Sequence, residues 1–152
     1  MDDKSKDILC VRVRNCSSHA LPSYASSGAS GLDLRANLSA PLCLVPMARV
    51  LVPTGLHIAL PVGFEAQVRS RSGLAYKEGI IVLNSPGTID SDYRGELKIL
   101  LINLSNVSVD ILDGDRVAQL VITAYRSIVW QGVDELPSSM RQDGGFGSTG
   151  KQ

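Results

Sequence analysis

The residues with the clearest chemical potential lie in one twelve-residue string, 84–95, which reads N-S-P-G-T-I-D-S-D-Y-R-G. Asp90 follows Ile89, and a carboxylate held beside an apolar side chain could serve as a general base. Tyr93 offers a flat ring and a hydroxyl that could lie against a sugar or a base. A solvated, Asp-rich turn is the plainer interpretation, and for Asp92 it is the better one. A solvated turn does not explain why so many different residue types occur together in this string.

A second candidate is the segment 69–79, R-S-R-S-G-L-A-Y-K-E-G. We expect a helix here, capped by Ser72 and ended by Gly79, and we expect it to be the main helix of the chain. A helix start with a Ser-Gly pair presents free N–H groups to an anion, and Arg71 adds a planar donor fork suited to phosphate. The plainer interpretation is a capped surface helix with an exposed arginine.

Asp33 and Gln119 are polar residues inside apolar strand patterns. In A-S-G-L-D-L-R-A, Leu32 and Leu34 would point inward and leave Asp33 on the opposite face, although an inward Asp33 is possible if a cation or arginine meets it. Gln119, in G-D-R-V-A-Q-L, is either a satisfied core amide or a donor that reaches a ligand. From the residues alone, the core interpretation is favoured.

The last residues, G-G-F-G-S-T-G-K, satisfy both G-x-G-x-x-G and G-x-x-x-x-G-K. Both nucleotide motifs need a preceding strand and a following helix, and the sequence continues for one residue only. Gln152 also replaces the Ser or Thr that would hold magnesium. We therefore reject both motifs. The segment is either a disordered tail or a flexible arm that orders over an anionic ligand, with Phe146 as a lid.

Composition indicates the elements that must position these residues. The chain has 152 residues, 44% of them hydrophobic but only 5% aromatic, so the core must be aliphatic. Fourteen Gly and seven Pro punctuate many short elements, which favours one all-β domain over long helices. We expect the domain to span residues 1–139 and the glycine-rich arm residues 140–152. The strands are expected within residues 8–14, 32–36, 42–52, 56–60, 64–70, 80–83, 96–104 and 116–124.

Charge and cysteine content exclude several classes of protein. The formal net charge is zero, so no global field would collect nucleic acid. No apolar run is long enough for a membrane span, and the charged start lacks the core of a signal peptide. Cys10, Cys16 and Cys43 form no C-x-x-C pair and are interpreted as reduced thiols. We expect a cytoplasmic protein, or a nuclear one if its source has a nucleus.

The two histidines, His19 and His57, stand alone in the sequence. Neither lies near the candidate site along the chain, so histidine catalysis and zinc hydrolysis are not expected.

Five segments, in order from 29 to 150, resemble the motifs of the trimeric all-β dUTP diphosphatases, the dUTPases. They are A-S-G-L-D-L-R-A, R-S-G-L-A, the string 84–95, G-D-R-V-A-Q and R-x-x-G-G-F-G-S-T-G. The resemblance implies a jelly-roll or β-clip barrel with one short helix. It also implies a homotrimer with active sites between subunits, and Mg²⁺-assisted hydrolysis of dUTP to dUMP and pyrophosphate by water attack on the α-phosphorus.

The same resemblance implies a role for each candidate residue. Asp90 would activate the water and contact the deoxyribose, Tyr93 would lie under the sugar and exclude a 2′-hydroxyl, and Asp33 would hold the metal-bound triphosphate, through water. Residues that would read the uracil edge are Asn84, Lys98 and the main chain of Gly87, Thr88 and Ile89. Residues that would hold phosphate from a neighbouring subunit are Arg71, Ser72, Gly73 and Gln119. Residues that would close over the substrate are Arg141, Phe146, Gly147, Ser148 and Thr149.

Two alternatives and one departure accompany this interpretation. A dCTP deaminase has a similar fold but needs a catalytic glutamate at the pyrimidine, whereas this string has Asp90 and Tyr93. A non-catalytic regulatory module on the same scaffold would not need Asp90, Arg141 and Phe146 intact. The family usually has Gly after the tail arginine, and here Gln142 stands there, which could stiffen the arm or weaken its closure.

Overall fold

The computed structural model describes residues 8–145, and within them the chain forms eleven β-strands and one short α-helix. The elements in chain order are β1 (Arg12–Asn15), β2 (Leu32–Arg35), β3 (Leu42–Leu44), β4 (Arg49–Pro53), β5 (Leu56–Ala59), β6 (Phe64–Arg69), α1 (Ser72–Glu78), β7 (Ile80–Val82), β8 (Gly87–Ile89), β9 (Lys98–Asn103), β10 (Val109–Ile111) and β11 (Arg116–Ala124). The expected all-β fold with one short helix is confirmed.

The strands form four small antiparallel sheets. A four-stranded sheet has the order β2-β11-β6-β8, and a three-stranded sheet has the order β4-β9-β7. Two further pairs join β1 to β5 and β10 to β3. The side chains between these sheets form one aliphatic core with no aromatic member. Its most deeply buried residues are Leu34, Val52, Ile80, Leu97, Ile99, Leu101, Ile111 and Val117.

Alternation along β6 and β11 decides which side chains reach this core. Ala66 and Val68 of β6 are buried, as are Ala118 and Leu120 of β11. Val68 and Leu120 are directly opposite each other in the antiparallel register. Because successive side chains of a strand point to opposite faces, the residues between them lie on the outer face of the sheet. Gln119 is one of these residues.

The string 84–95 occupies the connection between two strands of the three-stranded sheet. β7 and β9 pair directly, with Ile81 opposite Ile102, as expected for two buried strands joined by a longer connection. Within that connection, β8 belongs to the four-stranded sheet, where it pairs with β6 and Thr88 lies opposite Gln67. The string therefore bridges the two largest sheets, and both of them hold it in place.

Two local expectations were wrong. The first strand begins at Arg12 rather than at residue 8, and all four of its residues are exposed instead of half-buried. The Pro86-Gly87 pair in the string predicts a turn in which Gly87 has a positive φ, but Gly87 is a strand residue. Among residues 8–145, the positive-φ glycines are Gly55, Gly63, Gly79 and Gly114.

No helix in the described part of the chain is long and apolar enough to cross a membrane. Cys10, Cys16 and Cys43 are free and exposed.

Candidate functional site

One group of polar residues gathers around Asp33 on the outer face of the four-stranded sheet. Asp33 of β2 lies opposite Gln119 of β11, and the amide nitrogen of Gln119 is 3.5 Å from its Oδ1 atom. Arg71 follows β6 and donates from Nε to the same oxygen at 3.1 Å, while Nη1 of Arg116 donates to Oδ2 at 3.3 Å. These four residues are called the Asp33 cluster below.

The cluster holds its arginines in fixed positions. Arg71 also donates from Nη1 to the carbonyl oxygen of Arg116 at 2.8 Å, so its guanidinium is bonded on two sides. The side chains of Asp33 and Arg71 remain about a quarter exposed, at 23% and 25%. Charge-assisted bonds of this kind orient a donor fork without removing it from solvent, so Arg71 stays accessible to an anion.

The structure decides both alternatives that the sequence left open here. Leu34 is buried and Asp33 lies on the opposite face, as the alternation indicated, and an arginine meets it there. The core interpretation of Gln119 was wrong, because this side chain is half-buried on the outer face and its amide contacts Asp33.

The helix next to this cluster starts one residue earlier than the sequence suggested. Arg71 is the N-cap, with φ −87° and ψ 127°, and no side chain caps the helix, so the expectation of a Ser72 cap was wrong. Ser72 is instead the first helical residue, and it is exposed together with Gly73. The expected end at Gly79 is confirmed, since this residue is left-handed with φ 69° and its N–H bonds to Ala75 O.

A second group of residues lies along the string, starting at the exposed Asn84. The side-chain amide of Asn84 packs over Gly87: a Cβ atom placed on Gly87 would lie 3.1 Å from Nδ2 of Asn84 and 3.5 Å from Cβ of Val68. Gly87 is buried there. The glycine thus permits a close approach of the Asn84 amide, and its φ is not positive.

Asp90 is exposed at the end of β8. Its backbone carbonyl accepts a bond from the Tyr93 N–H at 3.1 Å, and no residue in the range 8–145 bonds its carboxylate. Ile89 packs against the core, so strand alternation turns Asp90 away from it and into solvent. Ile89 thus precedes Asp90 in the chain but does not shield its carboxylate from solvent. Both of its oxygens are available to a ligand or a water molecule.

Tyr93 is held over Gly95. Its hydroxyl donates to the carbonyl oxygen of Glu96 at 3.1 Å, and a Cβ atom on Gly95 would collide with that hydroxyl and with the ring. The ring is 44% exposed, so one face remains open to solvent. The tyrosine is thus positioned before any ligand arrives.

Lys98 begins β9 directly after this loop and is exposed. Its Nζ atom lies 3.9 Å from Oε2 of Glu96, whose other oxygen accepts the Gly55 N–H at 2.8 Å. Glu96 thereby ties the end of the loop to the β4–β5 turn and places a cation beside it.

A histidine does lie at the loop, contrary to expectation. Nδ1 of His57 is 3.1 Å from the carbonyl oxygen of Arg94. A carbonyl only accepts, so Nδ1 carries the hydrogen and donates it. The Arg94 guanidinium in turn donates from Nη1 to the carbonyls of Ser91 at 2.6 Å and Tyr93 at 2.8 Å. No local sequence signal could have revealed this contact, because its partners are 37 residues apart.

Arg141 is exposed and bonds within its own turn, from Nε to Gly144 O at 2.7 Å. Gln142 in that turn has a positive φ of 49°, a conformation that glycine adopts at lower cost. Four other residues expected to close over the substrate, Phe146, Gly147, Ser148 and Thr149, lie outside the described residues.

The two groups are separate within one chain. β2, which carries Asp33, and β8, which carries Thr88, are the opposite edges of the four-stranded sheet, three strand spacings or about 14 Å apart. Between residues 8 and 145, no hydrogen bond or ion pair joins the Asp33 cluster to Asn84, Asp90 or Tyr93.

The chain is similar to known proteins of one family. A family model described as dUTPase matches residues 17–150. A deoxyuridine 5′-triphosphate nucleotidohydrolase of Cytophaga hutchinsonii is 52% identical over 149 residues, covering 98% of this chain and 97% of the relative. One of the same name from Orientia tsutsugamushi strain Ikeda is 53% identical over 131 residues, covering 86% and 88%.

Solved structures share the fold. A mutant dUTPase of Staphylococcus bacteriophage 80alpha with dUpNHpp superposes with a TM-score of 0.82 at 24% identity, covering 93% of this chain and 98% of the other. The dUTPase of phage phi11 of S. aureus superposes with a TM-score of 0.76 at 22% identity, covering 86% and 99%.

Proposed function

Because this chain belongs to the dUTPase family, we propose that it hydrolyses dUTP to dUMP and pyrophosphate by attack of water on the α-phosphorus. This reaction would keep uracil out of DNA and supply dUMP for the synthesis of dTTP. The observation that carries the proposal is the exposed Asp90 carboxylate, which has no internal partner in residues 8–145 and stands beside a pre-positioned tyrosine. A free carboxylate within reach of a water molecule is what a general base requires.

The string provides the nucleoside subsite in this proposal. Asp90 orients the water and accepts its proton, and it contacts the deoxyribose. The open face of Tyr93 lies against the sugar, so a 2′-hydroxyl would collide with the ring. Asn84, Lys98 and the main chain of β8 read the uracil edge. The amide of Asn84 already faces the Gly87 backbone, which supports a polar pocket at that point.

The Asp33 cluster provides the phosphate subsite. Arg71, aligned by Asp33 and by the Arg116 carbonyl, offers its guanidinium to the triphosphate. The first N–H groups of α1, at Ser72 and Gly73, are exposed and add uncharged donors, and Gln119 contributes its amide. Donors fixed in advance stabilise the charge that develops on phosphate in the transition state.

The residues around Asp33 fit a magnesium ion that is held chiefly by substrate. Magnesium in such sites takes one or two carboxylates together with phosphate oxygens and water, and Asp33 is a partly exposed carboxylate among phosphate-binding donors. When bound, the ion would neutralise triphosphate charge. A solved mutant dUTPase of phage phi11 of S. aureus coordinates a structural Mg(II) ion.

We further propose a homotrimer whose active sites lie between subunits. The separation of the Asp33 cluster from Asn84, Asp90 and Tyr93 within one chain supports this arrangement. In a trimer, the phosphate subsite of one subunit could face the nucleoside subsite of its neighbour. An apolar groove of about 1140 Å³, lined by residues of β1, β5 and β6 among others, gives a neighbour a surface to cover. The exposed apolar side chains Ile128, Val129, Trp130 and Leu136 after β11 give a segment that could cover it.

Residues 140–152 are proposed to form an arm, distinct from the domain of residues 1–139, that closes over bound substrate. Arg141 would reach phosphate and Phe146 would cover the uracil, with Gly147, Ser148 and Thr149 completing the enclosure. The polar, glycine-rich composition of the arm and the exposure of residues 140–143 support this division. Closure excludes water from the reacting centre.

Pyrophosphate release from each deoxynucleoside triphosphate, with magnesium present, tests the proposal. We expect turnover of dUTP alone, reduced ~10²-fold or more in Asp90→Asn, the usual range for a general base. Asp92→Asn, in the same exposed loop, is the matched control and should retain the native rate. Near-native turnover by Asp90→Asn would remove this residue from the mechanism, and ammonia release from dCTP would favour the deaminase.

A further inference from the structure

A second cationic surface lies away from the Asp33 cluster, where β1 and β5 pair. It is a groove of about 300 Å³ lined by Arg12, Val13, Arg14, His57, Ile58, Ala59 and Arg94. This volume is at the small end of the range for small-molecule sites. The groove is called the Arg12 groove below.

The positive charges of the Arg12 groove are concentrated without internal compensation. Arg12 and Arg14 are two residues apart on one strand, so they share a face, and Arg14 lies directly opposite His57. No ion pair within residues 8–145 involves Arg12, Arg14 or Arg94. Because the whole chain has as many acidic as basic residues, this clustering is local and is not a result of overall basicity.

The groove touches the loop that carries Asp90 and Tyr93. His57 donates from Nδ1 to the Arg94 carbonyl, and the Arg94 guanidinium is fixed by the carbonyls of Ser91 and Tyr93. Those bonds use Nη1, so the rest of the guanidinium remains free to donate. A ligand in the groove would therefore contact a residue on which the shape of the loop depends.

We propose that the Arg12 groove binds a phosphate-class anion, of the size of a di- or triphosphate chain, at a site separate from the Asp33 cluster. Guanidinium forks pair with phosphate oxygens in bidentate fashion, and here three arginines and a histidine line one groove. A bound anion would also offset the repulsion between Arg12 and Arg14, which share one face of β1. The groove is too small for a folded partner and is matched to a short polyanion.

Nuclear magnetic resonance of the imidazole groups gives a direct test, because the chain has only two histidines. His57 lies in the groove and His19, bonded to Asp113 at 3.0 Å, is an internal reference. Titration of the full chain with inorganic pyrophosphate, without magnesium, should shift the His57 signals saturably and leave those of His19 unchanged. Arg12→Ala/Arg14→Ala should raise the apparent Kd by ~10²-fold or more, since a bond to a charged group is worth ~10-fold or above.

Two control variants separate the groove from other sources of charge. Arg49→Ala/Lys77→Ala makes the same change of two charges at exposed positions outside the groove and should change the Kd by less than about 3-fold, because distant charges are screened. Arg71→Ala removes the main donor of the Asp33 cluster. The Kd for pyrophosphate measured from the His57 signals should be unchanged in this variant. If Arg12→Ala/Arg14→Ala does not fold, Arg12→Gln/Arg14→Gln removes the charges and keeps most of the aliphatic stems.

The outcomes decide the proposal. An unchanged Kd in the Arg12/Arg14 variant, or loss of the titration in Arg71→Ala alone, would overturn it, as would a native His57 signal that does not shift. Parallel titrations with tripolyphosphate and with dCTP identify the source of the anion. Equal affinities would mean that the phosphate chain alone is recognised, and tighter dCTP binding would mean that a nucleotide is; either supports the site. If the protein failed to hydrolyse dUTP, the proposed function and the role of Asp90 would be wrong. Binding of the anion in the Arg12 groove would not depend on that outcome.

Discussion

The packing of Tyr93 over Gly95 allows a sharp test of the nucleoside subsite. A methyl group on residue 95 would occupy the space of the Tyr93 hydroxyl and its ring carbon, and it would lie 2.9 Å from another ring atom, Cε2. Gly95→Ala must therefore push the ring away or shift the loop. Either movement breaks the bond from the Tyr93 hydroxyl to the Glu96 carbonyl.

The expected magnitude follows from what the ring would lose. The hydroxyl bond is worth about 1 kcal/mol in net stability, and because the ring is 44% exposed its displacement leaves the core intact. Stacking against a ligand is worth about 1–3 kcal/mol, so kcat/KM for dUTP should fall roughly 10- to 100-fold. UTP should become a relatively better substrate, because the ring would no longer exclude its 2′-hydroxyl.

The assay compares kcat/KM for dUTP and UTP in four variants: Gly95→Ala, Tyr93→Ala, the double variant, and the control Gly132→Ala, where a Cβ atom would meet nothing within 4 Å. If the added methyl group acts only by displacing the Tyr93 ring, kcat/KM of the double variant should equal that of Tyr93→Ala. The effects of the two single substitutions on kcat/KM would then be strongly non-additive. Additive losses, or an unchanged UTP-to-dUTP ratio in Gly95→Ala, would refute this reasoning.

Three further predictions concern stability and the arm. Asn103 is fully buried; its amide nitrogen donates to the carbonyls of Leu44 and Val107, and its side-chain oxygen accepts from the N–H and the hydroxyl of Ser105. Asn103→Ala should therefore lower the free energy of unfolding, measured by urea denaturation, by about 3 kcal/mol. Asn106→Ala, at an exposed position, is the control and should leave that free energy unchanged. The pKa of Asp113 is lowered from its ordinary value of 3.8, first by the Leu38 N–H and then by His19. The stabilisation from this lowered pKa is present above the ordinary value and is lost as pH falls through the lower folded pKa. The free energy of unfolding of the native chain relative to Asp113→Asn should therefore shrink as pH falls below about 4, and that relative to Asp110→Asn should not. Removal of residues 140–152 should leave the melting temperature nearly unchanged and abolish most dUTP hydrolysis; a large fall in melting temperature would make the segment structural.

Local pattern was sufficient for much of the fold. Alternation predicted β6 and put Leu34 inward, and an aliphatic run predicted β11. Gly79 ended the helix, with the left-handed backbone that glycine adopts readily. These features depend on residues within a few positions of one another. The residue types in the string likewise indicate Asp90 and Tyr93 as candidate functional residues.

Tertiary structure decided how these residues are held. Arg71 meets Asp33 across 38 positions, Gln119 meets it across 86, and His57 meets Arg94 across 37. Each contact depends on sheet order and strand register, and register inverts the facing of every side chain when it shifts by one residue. A single sequence shows the alternation within each strand but not which strands are neighbours in a sheet. It could therefore indicate that a polar residue is unusual in an apolar strand without showing which polar residues would contact one another.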